Sequence, residues 1–388
     1  MDTFFLDLHI HIGRTMYGAP VKITASDSLT LEGVVEEASE RKGIDVVGVI
    51  DCHVPDVQSQ ILQWIQSGTA EELEQGGIRY KGTTLLPGVE IEVYDDRCKG
   101  PIHVLCYFPT ITSIQQFTRW MSHYVTNITL STQRFYGSGM TLQKQVRELG
   151  GLFVPAHMFT PFKSLYGKGV HSSLSEVFHP DWIDAVELGL SADSRMADQL
   201  TELHQYTYLT NSDAHSLPKI AREYQQAYLN GASFEEVRLA FHREAGRSIV
   251  ANYGMNPRLG KYYETTCKAC GTVWGKGDRC HRCDSSHYIK GVKERVDELS
   301  TDDSTVESPE RPPYVPQVPL QFLPKLGPKT LEKLLYHFGT EMNVIHHVPE
   351  HTLANIIPKT LAKTIIANRE GKMTIEAGGG GRYGRVKG

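Results

Sequence analysis

Residues 4–13 read Phe4-Phe5-Leu6-Asp7-Leu8-His9-Ile10-His11-Ile12-Gly13. Phe4, Phe5, Leu6, Leu8, Ile10 and Ile12 make an apolar, β-favouring run, which predicts a buried first strand ending at Gly13. Alternate side chains of a strand share a face, so Asp7, His9 and His11 point the same way. Two imidazoles at i and i+2, beside a carboxylate able to orient one of them, suit a divalent metal. A histidine pair on a strand can equally be a satisfied structural pair, so the reading turns on whether the chain supplies more ligands.

It supplies them at regular intervals. Ile44 to Ile50 is a second apolar strand, delivering Asp51 and His53 at its end. A third, Thr83 to Val93, sets Glu90 among apolar neighbours, where a carboxylate must be paired, protonated or metal-bound. His103 lies on the strand 102–107, His157 ends 152–157, Glu187 ends 183–187, and Asp213 and His215 end 208–215. Helical periodicity intervenes at 31–42, closed by Gly43, and at 58–67, 141–149 and 195–206. Strands alternating with helices predict a mostly parallel α/β barrel, with potential ligands gathered at the strand C-termini. His9, His11, Asp51, His53, Glu90, His103, His157, Asp213 and His215 suffice for two or three cations. Mostly imidazole ligands favour zinc, iron or manganese over magnesium alone, and closely spaced cations support in-line phosphoester hydrolysis.

The chain has 388 residues, room for more than one domain, and no apolar run of membrane-spanning length. Without a signal segment a soluble, cytoplasmic protein is expected, and the triplet Asn127-Ile128-Thr129 then has no glycosylation meaning. The net charge of -5 hides an asymmetry. Residues 1–257 hold 20 Lys and Arg against 30 Asp and Glu; residues 258–290 hold 7 against 3, and residues 311–388 hold 11 against 5. An acidic front that can hold cations thus precedes two basic modules, which fit an anionic polymer.

Cys267-Lys268-Ala269-Cys270, followed after nine residues by Cys280-His281-Arg282-Cys283, has the spacing of a four-thiolate structural zinc site. Around it Lys268, Arg279 and Arg282 could touch phosphates, and Trp274 and Tyr288 could stack on bases. Residues 293–319 are acidic and proline-rich, which predicts an extended linker. Beyond it, Leu326-Gly327-Pro328-Lys329-Thr330 opens a helix with Leu331, Leu334 and Leu335 on one side. This resembles a helix-hairpin-helix element, in which Lys325, Gly327, Lys329 and Thr330 would meet one DNA phosphate. A degenerate second copy spans 352–363, with Pro358 where glycine is expected, and residues 378–387 form a glycine-rich basic tail. The expected domains are a barrel (1–250), a zinc module (251–292), a linker (293–319) and a helix-hairpin-helix domain (320–388).

The strand-end residues resemble, in order and spacing, the motifs of the polymerase and histidinol phosphatase (PHP) superfamily. That resemblance implies a distorted (β/α)7 barrel. In it His9, His11, Glu90 and Asp213 hold one metal, Glu90 bridges to a second with His103 and His157, and His53 with His215 serves a third. The catalytic weight falls on Asp213, His9, His11 and Glu90. Arg14, Thr15, Met16 and Tyr17 stand where the family often places a further histidine.

With the zinc element and hairpin added, the whole chain resembles the endonuclease Q family. The resemblance implies a DNA repair enzyme that cuts 5′ to deaminated bases (uracil, hypoxanthine, xanthine) or abasic sites. An activated water would attack the phosphorus, and the base would be extruded into a pocket. Phe159, Phe162 and Tyr166, on the loop after His157, are candidate walls of that pocket. A small-molecule phosphatase and a non-catalytic DNA-binding adaptor are the alternatives. No short motif supports a sliding-clamp partner.

Overall fold

The computed structural model describes residues 1–300, 307–376 and 384–386. Seven strands carry the site: β1 (Asp2–Ile10), β2 (Val46–Val49), β3 (Thr83–Val93), β4 (Ile102–Tyr107), β5 (Leu152–Pro155), β6 (Val186–Glu187) and β7 (Tyr208–Leu209). β1, β2 and β3 run parallel, as their nearly continuous apolar sequences require for strands buried on both faces. β4 reverses against β3, and β5 against β4. The connection between β3 and β4 is Tyr94-Asp95-Asp96-Arg97-Cys98-Lys99-Gly100-Pro101, too short and turn-rich to form a crossover helix.

The Asp184 amide donates to the Phe153 carbonyl (3.0 Å) and carries the sheet to β6, which pairs in parallel with β7. Ala214, just past β7, bridges Ile10 in parallel and closes the ring onto β1. The result is a distorted seven-stranded barrel, the architecture that the sequence implied. Its last two strands are only two residues each. The helix expected over 195–206 is reduced to Ser194–Ala197 and a 3-10 turn at Thr201–Leu203. Arg311 holds the shortened segment: its guanidinium takes Asp198 and the carbonyls of Leu203, His204 and Tyr206, and lies 3.7 Å over the Tyr208 ring.

The N-terminal half of β1 also pairs antiparallel with β8 (Tyr224–Leu229), which pairs with β9 (Ser248–Gly254). The expected boundary at 250 therefore falls inside a strand. The stretch 293–319 is not an extended linker either. The helix Val292–Leu299 buries Val292 and Val296, and its Arg295 donates to the carbonyls of Tyr166, Val170 and His171. At the other end β10 (Tyr314–Pro316) adds to β9 in parallel. Acidic composition signalled solvation here, but apolar residues at i and i+4 and two half-buried arginines bonded to barrel carbonyls outweigh it. Residues 301–306 lie outside the described residues.

The C-terminal helices, Pro328–Phe338, Glu350–Ala354 and Lys359–Arg369, pack on the barrel base. The His346 ring sits 4.7 Å from those of Phe5 and Tyr253, with its Nε2 2.7 Å from the Tyr224 hydroxyl. Burial pushes His346 down to about 3, so it packs as a neutral ring. Lys42 Nζ and Glu341 Oε1 form a buried pair at 2.8 Å. Lys42→Met is expected to cost roughly 3–5 kcal/mol in denaturant unfolding because Glu341 keeps an unpaired buried charge, and adding Glu341→Leu should recover most of it. An additive loss in the double variant would contradict this. Among the described residues no helix is long and apolar enough to cross a membrane. Of the expected basic tail only residues 384–386 are described, with Arg385–Val386 pairing to Ile375–Glu376.

Candidate metal centre

The ends of β1, β3, β4 and β5 and the loops after β5 and β7 converge on one cleft of about 360 Å³. Three ligand triads meet there: His9/His11/Glu90, Glu90/His103/His157 and His11/Asp213/His215, each with donor atoms within 4.8 Å of one another. Glu90 is their hub. Its Oε1 lies 3.6 Å from His9 Nε2, 2.8 Å from His103 Nδ1 and 3.5 Å from His157 Nε2, while its Oε2 lies 3.5 Å from His11 Nε2. Asp213 Oδ1 lies 3.5 Å from His9 Nε2, 3.6 Å from His11 Nε2 and 3.5 Å from His215 Nδ1.

The fit to cations can be tested on the nitrogens themselves. His9 Nε2, His11 Nε2 and both ring nitrogens of His103 are buried and make no hydrogen bond. Orphaned buried polar atoms are costly, and here several converge on shared carboxylate oxygens. The opposite ring nitrogens are fixed: His9 Nδ1 sits 2.9 Å from Glu187 Oε2 and His11 Nδ1 3.0 Å from Asp51 Oδ2. Those carboxylates accept hydrogen bonds from the Nδ1–H groups and so turn both Nε2 lone pairs inward, the tautomer that a divalent ligand set requires. The donor set thus fits two or more cations of the zinc, manganese or iron type.

Two ligand-bearing loops are held in unusual backbone. His157 has φ 30° and Asp213 φ 45°, the left-handed region, where a non-glycine residue costs about 1–3 kcal/mol. Gly189 makes this possible beside His157, since a Cβ there would stand 2.9 Å from the His157 Cβ.

Several expected residues take other places. Asp7 orients no histidine; it accepts the amides of Ser212 and Ala221 and so pins the loop that presents Asp213. Asp51 stands behind His11 and is outside the three triads. His53 is not brought to His215: the chain turns into the helix Pro55–Ser67 and the His53 Nε2 faces the Leu130 carbonyl at 3.2 Å. Glu187 had been visible as a strand-end carboxylate, but its part in orienting His9 needed the ring closure that brings β6 near β1. It also accepts from Asn211 Nδ2 and from the His157 amide. Lys22 and Thr132, both on Glu90 Oε2, come from loops with no periodic signal.

Electrostatics separate the two histidines of β1. Burial opposes charge on His9, but Glu187, Asp213 and Glu90 outweigh it and raise the value from 6.5 to about 10. Burial and Lys22 lower His11 to about 4. Asp51 falls to about 2 because His11 and His53 overcome its burial, and Asp213 lies well below the carboxylate range for like reasons. With His9 raised, its ion-pairing contribution to stability is full below about 6.5 and is lost as pH rises through about 10. A cation on His9 Nε2 displaces that proton. Metal affinity is therefore expected to rise at least about tenfold per pH unit between 7 and 9, with one or more protons released in calorimetry across buffers of different ionisation enthalpy, since Glu90 raises His103 as well. A flat profile without proton release would remove His9 from the ligands.

The pocket-wall expectation needs correction. Phe159 and Tyr166 are fully buried and stacked on each other at 5.5 Å, and the Tyr166 hydroxyl is bound to Glu202, so both are core. Phe162 alone is exposed, at 44 %, edge-on to Tyr262 on the cleft wall. Lys163, Lys219, Arg222 and Lys261 surround the mouth.

The four cysteines gather as expected, with Sγ atoms 3.5 Å apart for Cys267/Cys283 and 3.6 Å for Cys270/Cys280. The residue after each Cys-x-x-Cys, Gly271 or Asp284, takes positive φ, which folds the amides back over the sulfurs. This is a closed structural site suited to zinc. Lys268 borders a neighbouring groove, whereas Arg279 is tied to Asp284 at 2.8 Å and Arg282 lies 3.4 Å from Thr272 Oγ1. In the helical end Gly327 caps the helix Pro328–Phe338; Lys325, Gly327 and Lys329 are exposed, and Thr330 is half-buried.

Comparison with known proteins follows the same outline. No family model matches the chain. The uncharacterized protein YqxK of Bacillus subtilis is 53% identical over 388 residues, all of both chains. The crystal structure of PfuEndoQ, a lesion-specific endonuclease from Pyrococcus furiosus, superposes with a TM-score of 0.85 at 31% identity, covering 100% of this chain and 95% of that one. An endonuclease Q complex with a 27-mer duplex bearing an abasic lesion at its active site gives 0.84 at 31% identity, covering 100% and 96%.

Proposed function

Because the chain belongs to the endonuclease Q family, we propose that it is a metal-dependent DNA repair endonuclease that hydrolyses the phosphodiester 5′ to a deaminated base or an abasic site. The observation that carries the reading is the linking of three ligand triads, two through Glu90 and the third through His11, in a cleft ringed by Lys163, Lys219, Arg222 and Lys261. A small monoester would leave the cysteine module and the capped helix at Gly327 without a task.

His9, His11, Glu90, His103, His157, Asp213 and His215 would hold the cations, which supply Lewis-acid polarisation of the phosphate and acidify a nucleophilic water. The chain's own residues do the rest. Glu187 and Asp51 keep His9 and His11 in one tautomer, and the hydrogen bonds of Asp7 keep the Asp213 loop in place, so the donors need no rearrangement during reaction. The cations at the mouth neutralise flanking phosphates and set the register of the strand. Lys268 and the amides at the Gly327 helix start would grip the duplex farther out.

The experiment is denaturing-gel cleavage of end-labelled duplexes carrying uracil, hypoxanthine, xanthine, an abasic site or no lesion, with Mg²⁺ or Mn²⁺. A single nick just 5′ of the lesion is expected; no nick on any duplex with folded, metal-loaded protein would sink the reading. Phe162 is the exposed aromatic on the cleft wall, and Phe162→Ala is expected to lower the ratio of lesion to undamaged cleavage by about tenfold, the value of one base–aromatic stack. An unchanged ratio would take Phe162 out of lesion recognition.

A further inference from the structure

Lys22 belongs to none of the ligand triads, yet it is inside the centre. Its loop is pinned beside the end of β1 by the Lys22 amide on the Ile12 carbonyl (2.9 Å) and the Val21 amide on the Gly13 carbonyl (2.8 Å). The side chain is 15% exposed, with Nζ 3.2 Å from Glu90 Oε2 and 2.6 Å from Thr132 Oγ1, and it lines the cleft with His103, His157, Asp213 and His215. Thr132, at φ 53°, also donates to Glu90 Oε2, at 2.5 Å. Two fixed donors thus hold one oxygen of the hub carboxylate.

An ammonium has three N–H donors and no lone pair, so Lys22 cannot be a ligand. Glu90 and Thr132 take two of the donors, and among the described residues no protein acceptor takes the third. A nearly buried cation with one free donor, set among the carboxylates and imidazoles of the centre, is placed for an anionic substrate oxygen.

We propose that Lys22 is a catalytic residue that donates its third N–H to a non-bridging oxygen of the scissile phosphodiester, adding a fixed positive charge to those of the metals. This rests on the phosphodiesterase reading above. No bond is made or broken by Lys22 and its proton stays in place; it acts by stabilising the negative charge spread over the phosphoryl oxygens.

The test compares wild type, Lys22→Met and Lys22→Arg in single-turnover cleavage of an abasic duplex and in hydrolysis of bis(p-nitrophenyl) phosphate. Bound metal is read by atomic emission and folding by melting temperature. Lys22→Met is expected to lose about 100-fold in rate on both substrates with metal content and melting unchanged, and Lys22→Arg to keep most of the rate. A Lys22→Met enzyme at the wild-type rate would overturn the proposal. So would one whose loss is accompanied by missing metal and restored by excess Mn²⁺, since Lys22 would then only position Glu90. A wild type that hydrolyses the chromogenic diester but nicks no duplex would refute the DNA reading while leaving Lys22 to be judged on the diester. A wild type inactive on both would overturn the proposal together with the function it rests on.

Discussion

Asp213→Asn is expected to lower single-turnover nicking by on the order of 10³-fold or more while the protein melts within a few degrees of wild type. The separation of activity from stability follows from the backbone. Asp213 sits at φ 45°, and asparagine is among the few residues that adopt that region readily, so the loop keeps its shape. What changes is charge. The carboxylate is ionised against burial because His9, His215 and His11 surround it, with Oδ1 within 3.6 Å of a nitrogen of each. A neutral amide takes the anionic donor out of the His11/Asp213/His215 triad and weakens what it shares with His9. Bound metal, counted by atomic emission, should fall by one equivalent with the rate. Full metal content and wild-type nicking together would remove Asp213 from the centre.

Cys280→Ser carries the second large effect. Cys280 is 3% exposed and is one of the four thiols that make up the cysteine cluster. The module's own strands, Thr266–Cys267 and Tyr288–Ile289, are two residues long. Elements that short supply little packing, so metal binding supplies most of the module's stability, on the order of 10 kcal/mol for sites of this kind. The variant is expected to lose the tightly held zinc and to become cleavable by protease within about residues 260–290, with the barrel's own melting transition intact. Duplex affinity should fall, while hydrolysis of bis(p-nitrophenyl) phosphate stays near wild type. Protease resistance and full zinc content in Cys280→Ser would show that the module folds without its fourth thiolate.

The pH behaviour of the centre follows the same electrostatics. His9 is held charged by three carboxylates until a cation replaces its proton, whereas His11, beside the Lys22 ammonium, is already neutral at pH 7. Loading should therefore be limited on the acid side by His9, and by His103, which Glu90 also raises, rather than by His11.

The sequence by itself determined the barrel and most of the residues that gather as candidate ligands, because both are written in local patterns. An apolar strand ending in His, Asp or Glu is legible wherever it occurs, and seven such ends leave few architectures. The cysteine spacing was legible for the same reason, since chelation geometry constrains residues close in the chain. Tertiary structure decided what depends on who meets whom across the ring. Asp7 and Asp51 look alike as strand-borne carboxylates, but ring closure hands Asp7 to the Ser212 and Ala221 amides and Asp51 to His11. Glu187 reaches His9 across 178 residues of chain, and Lys22 reaches Glu90 from a loop whose composition announces nothing. Phe159 and Tyr166 were indistinguishable from Phe162 in sequence until packing buried two and left one at the cleft. The spacer at 293–319 failed as a reading for the opposite reason: composition records the average solvation of a segment, whereas Val292, Val296, Arg295 and Arg311 are individual contacts that fix it to the barrel.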